Sequence, residues 1–421
     1  MDSALGPSRR MRTAFVLNMG ANGLGVARSL GALGIQVVGM DFDPRPPGFR
    51  SKYVKAIRCP DPLVDPQGLL EFLSVEGAKL DDKGVMFPCT DAFLNFVSRN
   101  RVRLSDHYEL TLPPENVIEG LVDKQFQYEW AERLGIPMTQ TFFPKDLVEA
   151  REIKDVLRYP AFIKGRASHL WARRFGNKGF TVMNAEELEC GFRQAFDAGL
   201  EALVQKIMMP PGENIVAVGA YLGRNGYSTP ALTWSKIRQS PPNFGIGSCL
   251  ETLKSPELGE LGLRFMKGIG HLGPAALGFK LDMDDGIWKF VEMNGRFWFQ
   301  NNLATRCGYN LPLLQYLDSQ GEMLPPLGEF EEGICWWDAM ADFDSFVRLK
   351  RQNRQGASAW IRSFMVPDVY AYYERGDIMP MLDQARYGLA WAKEVGNLLK
   401  SKRDEDAKWA SQRDPTGFDL R

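Results

Sequence analysis

Between residues 13 and 44 an apolar run, a glycine-rich turn, an amphipathic stretch and a second apolar run follow one another in TAFVLNMGANGLGVARSLGALGIQVVGMDFDP. That order predicts strand, turn, helix and strand, and two strands joined by a helical crossover lie parallel in a sheet covered on both faces. The opening of the chain is thereby committed to an α/β, Rossmann-like layer. Gly23 and Gly25 begin a G-x-G-x-x-G pattern, but Arg28 stands where a third glycine would let helix and strand approach, so a dinucleotide fingerprint is incomplete. Asp41 and Asp43 close the second strand. Residues 85 to 87 read as a further strand with Thr90 and Asp91 just past its carboxyl end, the edge where open α/β sheets gather ligands. Either residue also reads as a helix cap.

A chain of 421 residues exceeds what one hydrophobic core organises. Three parts are expected: residues 1–120, residues 121–322 with a lid over about 139–207, and a C-terminal extension, 323–421, whose polar end reads as disordered. A net charge of -1 gives no general drive toward nucleic acid or anionic lipid, and no apolar run reaches the roughly 18 to 20 residues that span a bilayer. Neither nucleic acid nor membrane is an expected partner. Six scattered cysteines, with no C-x-x-C pair, read as reduced thiols in the cytoplasm. His107, His169 and His271 lie too far apart in sequence to support a nucleophile-histidine mechanism.

Within the middle part, DKQFQYEWAERLGIP reads as a helix stopped by Gly135 and Pro137. QTFF, YPAFIKG and GFTVM, then a helix over about 185–198 and ALVQKIM, give a β-β-β-α-β lid. A hairpin follows in AALGFKLD, MDDG and IWKFVEMNG.

In FVEMNGRFWF, Glu292, Asn294 and Arg296 fall at alternate positions of a strand and so share a face. A carboxylate, an amide oxygen and a guanidinium side by side can hold a divalent cation, a triphosphate and the charge that develops in phosphoryl transfer, although a wet strand face has the same pattern. Lys124 at a helix start and Lys164 at a strand end can clamp phosphates from two sides. In HLWARRFGNKGF, Lys178 lies beside Gly176 and Gly179 in a basic loop that either closes over phosphates or is a solvated hairpin tip. Gln205, Lys206, Ile207 and Met208 lie on a strand able to face an adenine edge. Lys236 and Arg238 share a strand face suited to a transferring phosphate, and the hairpin brings Lys280 and Asp282 near Glu292. Singly, each has an ordinary structural reading.

Together, DKQFQYEWAERLGIP, YPAFIKG, VQKIMMPPGENI, TWSKIRQSPPNFG and above all GFKLDMDDGIWKFVEMNGRFWFQNNLATRCGYNLP resemble the ATP-grasp superfamily, in its carboxylate-amine ligase branch of the D-aspartate ligase type. The resemblance implies a Rossmann-like domain followed by a two-lobed α+β ATP-grasp fold with a C-terminal appendage. It also implies a reaction in which ATP phosphorylates a small carboxylate and an amine, commonly an amino acid, displaces the phosphate. By that likeness Lys124, Lys164, Lys178, Gln205, Lys206, Ile207, Met208 and Glu213 bind nucleotide, and Glu292 and Asn294 bind magnesium or manganese. Arg296, Arg238 and Lys236 act on the phosphate and intermediate. A homodimer is compatible with it, and phosphorylation of an enolate or hydroxyl, a non-catalytic nucleotide-binding role and a nicotinamide-dependent oxidoreductase stay open as alternatives. One position departs from the pattern: Gly278 stands just ahead of Phe279, where an acidic metal ligand is expected, and Asp282 lies about 13 Å further along an extended strand at ~3.3 Å per residue.

Overall fold

The structure, a computed structural model, describes residues 11–210, 212–242, 245–351, 360 and 367–386. The polar C-terminal end expected to be disordered lies outside the described residues. The glycine-turn segment folds as a parallel layer. β1 (Ala14–Leu17), β2 (Val37–Asp41), β3 (Val54–Arg58), β4 (Gly84–Pro88) and β5 (Tyr108–Glu109) pair in the order β3-β2-β1-β4-β5. Every residue of β1, β2 and β4 is buried, as strands covered on both faces must be. The chain steps outward through β2 and β3 and then crosses back to β4, so a crevice opens at the carboxyl ends of β1 and β4.

The glycine turn serves this crevice without forming a dinucleotide site. A Cβ on Gly23 would lie 1.9 Å from the Asn18 carbonyl oxygen, so only glycine fits. Asp41, the acid that would meet a ribose hydroxyl in a dinucleotide fold, is 1% exposed and accepts from the Met19 N–H at 2.6 Å and the Asn18 amide at 3.2 Å. Arg28, in the helix Ala21–Gly31, is 4% exposed. Its Nε meets Asp377 at 2.9 Å, and its Nη2 donates to the carbonyls of Tyr372 and Asp377, each at 2.8 Å. The residue that breaks the fingerprint fastens the first layer to the C-terminal segment.

The lid is a four-stranded antiparallel sheet of β6 (Thr141–Phe142), β7 (Ala161–Gly165), β8 (Phe180–Val182) and β9 (Ala202–Lys206), in the order β6-β9-β7-β8. The β-β-β-α-β expectation needs two additions, the helices Leu147–Glu152 and Ser168–Phe175. The second occupies half of what reads as a mobile basic loop. Trp171 and Phe175, one helical turn apart, pack on each other and on Phe180 with ring centroids 4.7–5.0 Å apart, and that aromatic cluster holds the segment down.

The large sheet contains β10 (Ile215–Leu222), β11 (Leu232–Ser240), β12 (Ile246–Thr252), β13 (Gly273–Asp282), β14 (Ile287–Asn294), β15 (Cys335–Trp337) and β16 (Val369–Tyr370), ordered β14-β13-β10-β11-β12-β15-β16. Residues read as a C-terminal extension thus add two strands to its edge. One sheet face packs on the helices Lys124–Arg133 and Pro256–Gly268. The other, through Ala217, Trp234, Leu250 and Ala276, shares a core with Val16, Val26 and Phe87 of the first layer. The two layers are fixed against each other by apolar burial, which positions whatever lies in the crevice between them.

Removing Arg28 leaves the Asp377 carboxylate buried without its guanidinium. Arg28→Ala is expected to cost about 3 kcal/mol, read from the urea midpoint. A change under about 0.5 kcal/mol would show that the clasp is dispensable.

Candidate active site

β14 ends at Asn294, so Glu292 and Asn294 lie on the strand while Arg296 lies beyond it. The expectation of one alternating face over all three therefore needs correcting. Gly295 is where the chain turns: a Cβ there would lie 2.5 Å from Leu121 and 3.2 Å from His271, a packing that pulls the backbone inward. Arg296 still returns to its neighbours. Its Nη2 donates to Asn294 Oδ1 at 3.2 Å, and its Nε and Nη2 meet both oxygens of Asp91 at 2.8 and 2.9 Å. Asp91 opens the helix Asp91–Arg99 at the carboxyl end of β4, and Thr90 caps that helix by accepting from the Phe93 N–H at 3.4 Å. The cap and the ligand edge thus occupy one place.

Four lysines gather on Glu292. Lys124, at the start of the helix Lys124–Arg133, reaches Glu292 Oε2 at 3.1 Å, and Asp123 caps that helix by accepting from the Gln125 N–H. Lys164, at the end of β7, donates to Gln205 Oε1 at 3.0 Å. Lys178 from the lid and Lys236 from β11 lie close enough to act on the same carboxylate through space. Lys124, foremost, with the other three holds Glu292 far below the usual carboxylate range, although the partly desolvated floor of the cleft opposes it. Glu292 keeps 49% of its side chain exposed, so the cluster sits in a cleft open at its mouth. Burial, with Lys124 nearby, lowers Lys164 to about 7 despite the attraction of Glu292. Burial likewise lowers Lys236 and Lys178. Like charges crowded around one carboxylate leave a surplus of positive charge that a polyanion would relieve.

Arg238, Lys206 and Asp282 are engaged in ion pairs of their own, while Gln205 stays beside Lys164. The register of β11 against β12 slips on both sides of Arg238, so Lys236 and Arg238 do not continue one alternating face. Arg238 is buried and bidentate with Asp342, at 2.7 and 3.0 Å. Lys206 pairs with Asp282 at 3.2 Å and with Asp284, and its backbone N–H bonds the Gln140 carbonyl. Gln205 binds Lys164, Tyr128 and Thr141, and Ile207 and Met208 are buried. The Glu213 and Pro210 carbonyls accept Lys280 Nζ at 2.5 and 2.7 Å. Asp282 is buried between Lys206 and Lys289, so it does not fill the place left by Gly278.

Sequence reading missed two residues. The Tyr128 hydroxyl accepts from Gln205 Nε2 at 2.8 Å, lies 3.5 Å from Lys164 Nζ, and donates to the Val291 carbonyl at 2.8 Å, joining lid, helix and β14. Its spacing of one helical turn from Lys124 was the available signal. Asn22 Nδ2 donates to the carbonyls of Cys89 and Phe297 at 3.0 and 3.1 Å, closing the crevice from the first layer.

No family model matches the sequence. The chain is similar to a D-aspartate ligase of Enterococcus faecium (strain Aus0004), 23% identical over 310 residues that make up 70% of this chain and 74% of that protein. Among solved structures it is similar to the biotin carboxylase domain of Hydrogenobacter thermophilus 2-oxoglutarate carboxylase, in complex with MgADP, ADP and bicarbonate, with a TM-score of 0.62 at 19% identity over 78% of this chain and 74% of that one. N5-carboxyaminoimidazole synthetase from Staphylococcus aureus gives 0.59 at 16% identity over 81% and 85%, and L-amino acid ligase from Bacillus licheniformis gives 0.56 at 15% over 78% and 79%. The chain has the ATP-grasp fold.

Glu292 and Asn294, two residues apart on β14, are the residues here that could offer oxygens to a cation. Among the described residues no group of three His, Cys, Asp or Glu could hold a metal. Two protein oxygens suit magnesium, which keeps waters and phosphate oxygens in its shell, better than a metal that needs a full protein cage. Gly278 faces Glu292 across the hairpin, and a Cβ there would meet nothing nearer than Val291 Cβ at 3.7 Å. The missing carboxylate is therefore not excluded by packing.

At pH 8 a lysine with a pKa of about 7 is mostly neutral, and a bound polyanion favours its charged form, so ADP binding is expected to draw protons from solution. Lys164→Arg, charged beforehand, should take up fewer by about half a proton or more. Calorimetry in buffers of different ionisation enthalpy measures this. Equal uptake in both proteins would contradict the assignment of Lys164.

Proposed function

We propose that the protein is an ATP-dependent ligase that activates a small carboxylate as an acyl phosphate and joins it to an amine, an amino acid being the expected acceptor, with release of ADP and phosphate. The observation that carries this reading is the convergence of Lys124, Lys164, Lys178 and Lys236 on Glu292, beside Arg296, at the mouth of the β1/β4 crevice. Four lysines around one carboxylate suit a polyphosphate, and Arg296 beside them suits the acid to be activated. The D-aspartate ligase relative makes an amino acid carboxylate the first class to try.

In the first step a carboxylate oxygen attacks the γ-phosphorus of ATP, and the bond to the bridging oxygen breaks with its electrons passing to ADP. Lys124 and Lys164 hold non-reacting phosphate oxygens, while Lys178 closes from the lid and Lys236 from the sheet. Ile207 and Met208 supply an apolar wall for adenine. Magnesium held by Glu292 and Asn294, with manganese as a substitute, supplies charge neutralisation across the phosphates when bound. In the second step the amine attacks the acyl carbon, the C–O bond breaks with its electrons passing to the departing phosphate, and the proton lost from nitrogen passes to that phosphate or to solvent. Arg296 steadies the oxygens that gain negative charge. All six cysteines are unpaired, and we place the reaction in the cytoplasm.

ADP release measured over a matrix of small acids and amino acids, with magnesium present, tests the reading. Release should require one acid and one amine together, and Glu292→Ala should lower kcat by about 10²-fold or more. Release indifferent to the amine, or unchanged turnover in Glu292→Ala, would overturn it.

A further inference from the structure

Asp91 and Arg296 approach the crevice from opposite sides, one from the first layer and the other from the large sheet. Their contact is side-on and bidentate, Nε to Oδ1 at 2.8 Å and Nη2 to Oδ2 at 2.9 Å. That edge of a guanidinium is the one a carboxylate, or two oxygens of a phosphoryl group, would take. Elsewhere the guanidinium is fastened by Asn294 Oδ1 at 3.2 Å and the Phe297 carbonyl at 3.3 Å. An arriving anion and Asp91 therefore contend for one edge.

The two partners are not equally free to yield. The Arg296 side chain is 16% exposed and held on two sides, whereas that of Asp91 is 52% exposed. Asp91 is also spared from capping its helix, because Thr90 does that. Rotation of Asp91 into water would leave the helix cap and the Asn294 and Phe297 contacts of Arg296 in place.

We infer that Asp91 is a resident stand-in for the substrate's anion: it fills the Nε/Nη2 edge of Arg296 and is displaced by an incoming carboxylate or phosphoryl group. Asp91 then sets how tightly an anion must bind to enter, and favours planar or multi-oxygen anions able to replace both of its hydrogen bonds over those that replace one. Its removal should tighten anion binding, the reverse of what loss of a contact residue does. This inference rests on reading the crevice as the substrate site of the proposed ligase.

The test is a thermal-shift titration of the full chain with inorganic phosphate and, separately, with acetate. Asp91→Asn should lower the apparent Kd for at least one of them by about tenfold, because the competitor for the edge is weakened. The same change made in an Arg296→Ala background should shift Kd by less than about twofold. Tighter binding of phosphate alone assigns the edge to the phosphoryl group, and tighter binding of acetate assigns it to the carboxylate; both support the stand-in role. Unchanged or weaker binding in Asp91→Asn overturns it, as does a gain that persists in Arg296→Ala, which would be a general effect of removing a negative charge. A parallel titration with MgADP keeps the two readings apart. Failure of the wild type to bind MgADP counts against the ligase, while the phosphate and acetate arms judge Asp91.

Discussion

The attraction between Glu292 and the lysines around it is the interaction on which the rest of the site depends. Lys124 touches the carboxylate, Lys164 and Lys178 act on it from the lid, and Lys236 acts on it from β11, across β13 and β10 of the same sheet. One negative charge cannot satisfy four positive ones, and burial already lowers Lys164 to about 7. A bound polyanion would offset that surplus of positive charge.

The fold exists in large part to hold those lysines on separate bodies. Lys164 and Lys178 ride on the lid, Lys124 on a helix packed under the large sheet, and Lys236 on that sheet. Tyr128 links three of these parts through its hydroxyl. At greater distance, two buried ion pairs fasten the segment after residue 323: Arg28 with Asp377, and Arg238 with Asp342. A buried pair is expensive to break once formed, so these clasps fix the relative placement of layer and sheet more than they add net stability.

Much of this was legible in the sequence because its signals are local. The glycine turn marked the first layer, and DKQFQYEWAERLGIP marked a helix that runs over Lys124–Arg133. The turn MDDG marked a hairpin that closes with Gly286 at φ +70°. What stayed hidden depends on tertiary partners. Arg238 reads as a neighbour of Lys236 until the register slip on β11 and Asp342, 104 residues away, are seen. Arg296 looks like a third strand position because nothing local announces that Gly295 must pack on Leu121 and His271. Ser168–Phe175 reads as a basic loop because its arginines are conspicuous and its aromatic anchors are not. Gly278 is visible as a departure from a family pattern, yet only the geometry shows open space beside it.

The central claim is that this cleft moves a phosphoryl group onto a carboxylate. Oxygen-isotope transfer tests it most directly: the carboxylate that supports ADP formation is labelled with ¹⁸O, and the released inorganic phosphate is analysed by mass spectrometry. Passage through an acyl phosphate predicts that each phosphate carries one labelled oxygen from the substrate. Unlabelled phosphate, with both labelled oxygens still in the acid or its product, would contradict the account.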